Sequence, residues 1–187
     1  MSAVKVSYVE HPESRIYYAH RGNLDGPNPE SENSPDQINK ALEAGFRVEV
    51  DIWSYDDTQG VRFWLGHDGP QYLVEDSFFT SRADRLLLHA KNADVLSFLL
   101  RKRKAYNVFW HDKDDYAITS NGTVISNVGV DPVKNGIIML PENVNIIDRI
   151  NLLLKYERDS AICTDYPIKF WAGGDYATSK TQSDKGN

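Results

Sequence analysis

The sequence predicts an α/β fold: a reduced (β/α)8 barrel of the TIM type, with several peripheral helices shortened or missing. Three observations predict it. Short apolar runs rich in Val, Ile, Phe, Trp and Tyr recur along the chain. Segments with helical spacing and capping residues fall between some of them. Ionisable residues gather at the C-terminal ends of the runs, where parallel barrels build their sites. At 187 residues the chain is shorter than a full barrel, which begins at ~200 residues. Several helices must therefore shrink to turns, and an open α/β sheet is the alternative arrangement.

The strand candidates, in order, are IYYAH (16–20), RVEVDIW (47–53), VRFWLGH (61–67), RLLLHAK (85–91), NVFWH (107–111), TVIS (123–126), GIIML (136–140) and AICTD (161–165). Each is short and enriched in β-branched or aromatic residues. The first helix begins at Ser34-Pro35-Asp36, a cap followed by proline at the first helical position, and stops at Gly45. Ile38, Ala41 and Leu42 form its apolar face. Asn92 caps a second helix whose Val95, Leu96 and Leu99 face the core, and Arg101 to Lys104 suit the negative end of its dipole. A third runs roughly from Asn145 to Tyr156, with Ile146, Ile147, Ile150 and Leu153 at helical spacing. Residues 1–172 read as one barrel domain, and 173–187, poor in large aliphatic residues, as a flexible tail.

Composition excludes several classes. Net charge is -6, with 21 Lys+Arg against 27 Asp+Glu, the opposite of a nucleic-acid footprint. No apolar run approaches the ~18 residues of a membrane span. The opening MSAVKVSYVEHPESR lacks the apolar core of a secretory signal, so a cytoplasmic protein is expected. A single cysteine, Cys163, rules out an internal disulfide framework and a cysteine-built zinc site. It reads as a packed strand residue. Asn121-Gly122-Thr123 reads as a turn, and Trp53, Trp64 and Trp110 read as packing. Lost peripheral helices would bare apolar flank that an oligomer can cover.

The strand ends carry the chemistry. His20-Arg21 close the first strand, Glu49 and Asp51 the second, His67-Asp68 the third, His89 and Lys91 the fourth, His111 the fifth and Asp165 the last. Glu49/Asp51 and His89/Lys91 are i, i+2 pairs, so each pair points to one side of its strand. A lone strand-end histidine is ordinarily structural. Ionisable groups aimed into one mouth cost several kcal/mol unless paired or metal-bound.

These residues resemble the glycerophosphodiester phosphodiesterase family, part of the phosphatidylinositol-phospholipase-C-like barrel superfamily. The family's His-Arg-Gly is His20-Arg21-Gly22. Its Pro-Glu-Asn-Ser/Thr follows as Pro29-Glu30-Ser31-Glu32-Asn33-Ser34, with two residues inserted. Gly45 to Asp51 match Gly-(Ala)-x-x-x-Glu-x-Asp, His67-Asp68 the strand ending His-Asp, and Thr164-Asp165-Tyr166-Pro167 the closing element. Where the family carries Glu-x-Lys, this chain has His89-Ala90-Lys91, so a histidine replaces an acidic ligand.

The resemblance implies a phosphoric diester hydrolase acting on a small or lipid-derived phosphodiester, in the manner of lipid metabolism enzymes. It implies His20 and His67 as the acid/base pair, Arg21 and Lys91 on the phosphate, and Glu49, Asp51 and His89 on one divalent metal ion. Mg²⁺ or Ca²⁺ is expected from the family, and the imidazole of His89 opens the site to Mn²⁺, Co²⁺ or Zn²⁺. Asn33, His111 and Asp115 are candidates to border the substrate pocket, Asn33 resembling a brace for the site. A phosphate-binding barrel without turnover, and a lyase-like transferase that stops at a cyclic phosphate, are the competing functions.

Overall fold

A computed structural model describes residues 15–58, 60–102, 105–145 and 160–173. The chain is mixed α/β. Among the described residues ten strands form one sheet: β1 Tyr17–His20, β2 Arg47–Asp57, β3 Gly60–Leu65, β4 Tyr72–Val74, β5 Leu86–Ala90, β6 Asn107–Phe109, β7 Tyr116–Ile118, β8 Val124–Ser126, β9 Ile137–Met139 and β10 Ala161–Thr164. The helices described are α1 Pro35–Glu43, α2 Asp76–Thr80, α3 Ala93–Arg101 and α4 Pro167–Gly173, with a 3₁₀ turn at Pro141–Asn143.

Parallel pairing runs β6–β5–β2–β1–β10–β9–β8, and β7 adds antiparallel to β8. β2 has 11 residues and pairs with three strands, β1 and β5 along its first half and β3 along its second. Its first half pairs with β5 (Val48↔Leu86 to Ile52↔Ala90), and its second half continues into an antiparallel hairpin with β3 (Ile52↔Leu65 to Asp57↔Gly60). The predicted third strand is thus no parallel stave: the hairpin returns its C-terminal end to the level of Ile52.

Two of the three apolar clusters among the described residues lie on the two faces of the sheet. The larger packs Val48, Val50, Ile52, Leu86 and Leu88 against Ile38, Ala41 and Leu42 of α1, Phe79 of α2, and Val95 and Leu99 of α3. The smaller joins Tyr18, Leu87, Phe109, Ala117, Ile125, Ile137 and Cys163. Its members come from β1 and from β5 to β10, so the sheet curls until strands from both of its ends share one interior. The ladders do not close, because none joins β6 to β7 among the described residues. The expected closed barrel is therefore not seen as such. Ser120, just past β7, touches β6: its N–H donates to Val108 O at 2.7 Å, and its Oγ accepts from Val108 N at 3.0 Å.

The predicted caps form. Ser34 accepts from Gln37 N, with Pro35 opening α1, and Asn92 accepts from Val95 N to open α3. Gly122 turns the chain at φ 89°, and Cys163 is buried. Asn145 is described, but the rest of the predicted third helix, like residues 174–187, lies outside the described residues; α4 occupies the end of the predicted domain and reaches Gly173.

Candidate active site

The first strand ends in a tight reversal. Arg21 takes a left-handed conformation (φ 52°) and Gly22 follows at φ 82°. A Cβ on Gly22 would press at 3.3 Å on the backbone of Gln37, whose side chain donates to Gly22 O. The reversal aims His20 into the sheet's interior mouth and points the Arg21 N–H at Glu49 Oε2, 3.2 Å away. On β2, Glu49 and Asp51 share that mouth while Val48, Val50 and Ile52 fill the helix-side core. Both carboxylates are only 1% exposed, so their charges must be answered inside the protein.

Asp51 is answered from several sides. Asn33 donates from Nδ2 to Asp51 Oδ2 and accepts from Asp51 N, each at 2.9 Å. Arg21 Nε lies 3.2 Å from Oδ2, His89 Nδ1 3.0 Å from Oδ1, and Lys91 Nζ 3.5 Å from Oδ1. Burial alone would raise this carboxyl, but His89, Lys91 and Arg21 win and hold it well below the usual carboxylate range. Glu49 goes the other way: burial and the neighbouring Asp51 charge push it up. The two carboxylates are therefore inequivalent.

His89 supplies the test for a cation. Its Nε2 is 3.3 Å from the carbonyl O of His111, and a carbonyl only accepts, so Nε2 carries a proton. Without a proton of its own, Nδ1 would turn a lone pair toward Asp51 Oδ1 at 3.0 Å and Glu49 Oε1 at 3.7 Å. Asp51 Oδ1 is buried without a well-aligned hydrogen bond. One ligand atom from each of Glu49, Asp51 and His89 falls within 4.8 Å of the other two. Converging lone pairs with an oriented imidazole are what a divalent cation requires, and the residues fit one.

His20 is oriented by a chain of polar contacts. Its Nδ1 is 2.8 Å from Asp165 Oδ1, and that oxygen also accepts from Asn23 Nδ2 at 2.8 Å. Asn23 donates as well to Glu32, which receives Arg21 NH1 at 3.0 Å. With Nδ1–H given to Asp165, Nε2 is the ring nitrogen toward Glu49, 3.9 Å from its Oε2. Burial lowers the His20 pKa, but Asp165 and Glu49 outweigh it and raise it above the ordinary value.

His67 reaches the same mouth by the β2–β3 hairpin. Gly66 donates to Asp51 O, and its φ of 141° has no room for a side chain, since a Cβ would sit 2.3 Å from Gly69 O. His67 is 40% exposed in its side chain and pairs with Asp68 at 2.6 Å. His20, Arg21, Glu49, His67, His89, His111 and Asp115 all line one cavity of ≈ 380 Å³. Lys91 is held on Asp51 outside that lining, and Asn33 is buried with its amide committed to Asp51, as a brace.

Sequence reasoning assigned no role to Asp165, Asn23 or Glu32, which orient His20 and Arg21. Asp165 stood within a matched motif, but only contact across |i−j| = 145 reveals its work. Asn127, on the cavity wall beside His111, carried no signal at all. No helix among the described residues is long and apolar enough to cross a membrane. Neither a protein-family model, a curated protein nor a solved structure matches this chain.

Proposed function

We propose that this chain is a metal-dependent phosphodiesterase related to the glycerophosphodiester phosphodiesterases, hydrolysing a small or lipid-derived phosphodiester. The observation that carries the reading is the convergence of Glu49, Asp51 and His89 beside an Asp165-oriented His20. The curled sheet supports a reduced barrel as the scaffold, with the Ser120–Val108 contacts bridging the gap between β6 and β7.

In this reading Glu49, Asp51 and His89 hold one divalent ion. Such an ion polarises a phosphoryl oxygen and lowers the pKa of a bound hydroxyl. Arg21 offers a guanidinium fixed on two sides by Glu32 and Asp51, so its orientation costs little entropy when the anion binds. Lys91 adds positive charge from behind Asp51. His20 moves the proton at Nε2, while Asp165 holds Nδ1–H and stabilises the imidazolium. His67, on the rim of the same cavity, serves the other oxygen of the diester.

The test is release of p-nitrophenol from bis(p-nitrophenyl) phosphate after chelation and re-addition of Mg²⁺, Ca²⁺, Mn²⁺, Co²⁺ or Zn²⁺. Metal-restored turnover is expected, falling ~10²- to 10⁴-fold in His20→Ala and likewise lost in Glu49→Ala. Turnover indifferent to chelation or to both substitutions overturns the reading.

A further inference from the structure

The sheet has a second cavity, at the end opposite His20 and Glu49. Tyr18, Arg47, Leu86, Asn107, Ile137 and Ala161 line it, each at or near the N-terminal end of its strand. Its volume is ≈ 570 Å³, against ≈ 380 Å³ for the cavity at His20. Arg47 precedes Glu49 by two residues on β2, so its side chain leaves the strand on the same interior face. The interior thus holds carboxylates toward one mouth and a guanidinium toward the other.

That guanidinium has no counter-charge. Asp84, the acidic residue on this lining, is exposed and does not pair with it, and Arg47 forms no ion pair among the described residues. What orients Arg47 is Tyr18, its partner in the β1–β2 ladder. The guanidinium carbon lies 6.0 Å from the centre of the Tyr18 ring, and NH1 donates to the phenol oxygen at 3.4 Å. Accepting that bond leaves the phenol its own hydrogen, which has no acceptor among the described residues. Arg47 Nε is buried without a partner. A charged donor and a hydroxyl donor therefore stand side by side, both with hydrogens unspent. Asn107 adds to them, since neither end of its amide is hydrogen-bonded among the described residues and it can turn its NH₂ to the cavity. Water can hydrate such donors, but only an anion also answers the charge, and the planar fork of an arginine fits paired oxygens.

We propose that this mouth binds a small oxyanion, a carboxylate or a phosphate, on Arg47 and the Tyr18 hydroxyl. The site is separate from Glu49, Asp51 and His89 and does not depend on the phosphodiesterase reading. It is tested by titrating the full chain with sodium phosphate, sodium acetate and sodium chloride under ¹⁵N–¹H NMR. The backbone amides of Asn107 and Gly136 report this mouth, and those of Gly22 and Asn23 report the other.

Saturable shifts at Asn107 and Gly136 are expected with phosphate or acetate, at least tenfold tighter than with chloride, which has no paired oxygens. The tighter of the two says whether the natural ligand carries phosphate or carboxylate. Tyr18→Phe keeps the ring and removes one hydrogen bond to a charged group, so it should weaken binding about tenfold. Arg47→Gln should weaken it by more, and Tyr18→Phe with the comparison of ions decides the question where that variant fails to fold. Shifts confined to Gly22 and Asn23, chloride binding as tightly as both oxyanions, or an affinity unchanged by Tyr18→Phe overturns the inference.

Discussion

The two halves of the sheet are built differently. In β1, β2 and β5 the helix-side residues pack under α1, α2 and α3, while the other face of β2 and β5 carries Glu49, Asp51 and His89. In β7, β8 and β9 each strand has three residues, and β7 leaves Tyr116 and Ile118 exposed, Ile118 at 68%. The first half holds Glu49, Asp51 and His89 on longer ladders over a thick core. The second half closes the cavity with Asn127, Val128 and Met139.

The sharpest way to break this contrast is through activity. His20→Ala should cost ~10²- to 10⁴-fold in kcat, whereas Ile118→Ser, on the exposed edge of β7, should leave diester hydrolysis within about twofold. Comparable losses in steady-state assays would show that the thin half takes part in the chemistry.

Stability should divide the same way. Phe79 is fully buried under the first half, edge-to-face with Phe63 and Phe78, so Phe79→Ala should cost ~3–5 kcal/mol in chemical denaturation. Ile118→Ala should stay within ~0.5 kcal/mol.

Metal binding should stiffen only the first half's cluster. At a hundredfold excess over Kd a divalent ion should add ~2.7 kcal/mol, read as a rise in Tm that chelation reverses. Asp51→Asn should remove that rise, and an unchanged response would mean that the ion binds elsewhere.

The smallest effect concerns the far end of the first half. Tyr106 donates to Asp76 at 3.0 Å, and burial together with the Asp76 bond and charge pushes its pKa up to about 12. A pKa raised by folding means that the neutral phenol is favoured in the native state. Its contribution is fully present below pH ~10, the ordinary tyrosine value, and is lost as the pH rises through the folded value. Alkaline unfolding monitored by tyrosinate absorbance should therefore begin earlier in wild type relative to its neutral-pH stability than in Tyr106→Phe, whose curve should be flatter. The difference should be ~1 kcal/mol, one hydrogen bond.

Much of the molecule was legible because it is local. Ser34-Pro35 and Asn92 announce helix starts through a side-chain oxygen and a fixed φ, and both helices begin there. Alternation along 47–52 told that Glu49 and Asp51 leave the strand on the face opposite Val48 and Val50. β4 and β7 escaped, and both are held by antiparallel partners rather than by their own composition. The direction of β3 also escaped. His67 was expected at a parallel strand's end and arrives instead by a returning hairpin, which Gly66 permits.

By itself, then, the sequence determined which residue types stand at the strand ends, which face of β2 they leave, and where α1 and α3 begin, because backbone dihedrals and neighbouring side chains decide these over a few residues. Only the tertiary structure decided that Asp165 grips His20, that Glu32 and Asp51 clamp Arg21, and that Asn127 sits against His111. Those contacts join segments far apart in the chain. Hydrogen bonds depend on atoms a few ångströms apart, and the curl of the sheet, which no spacing encodes, is what brings those atoms together.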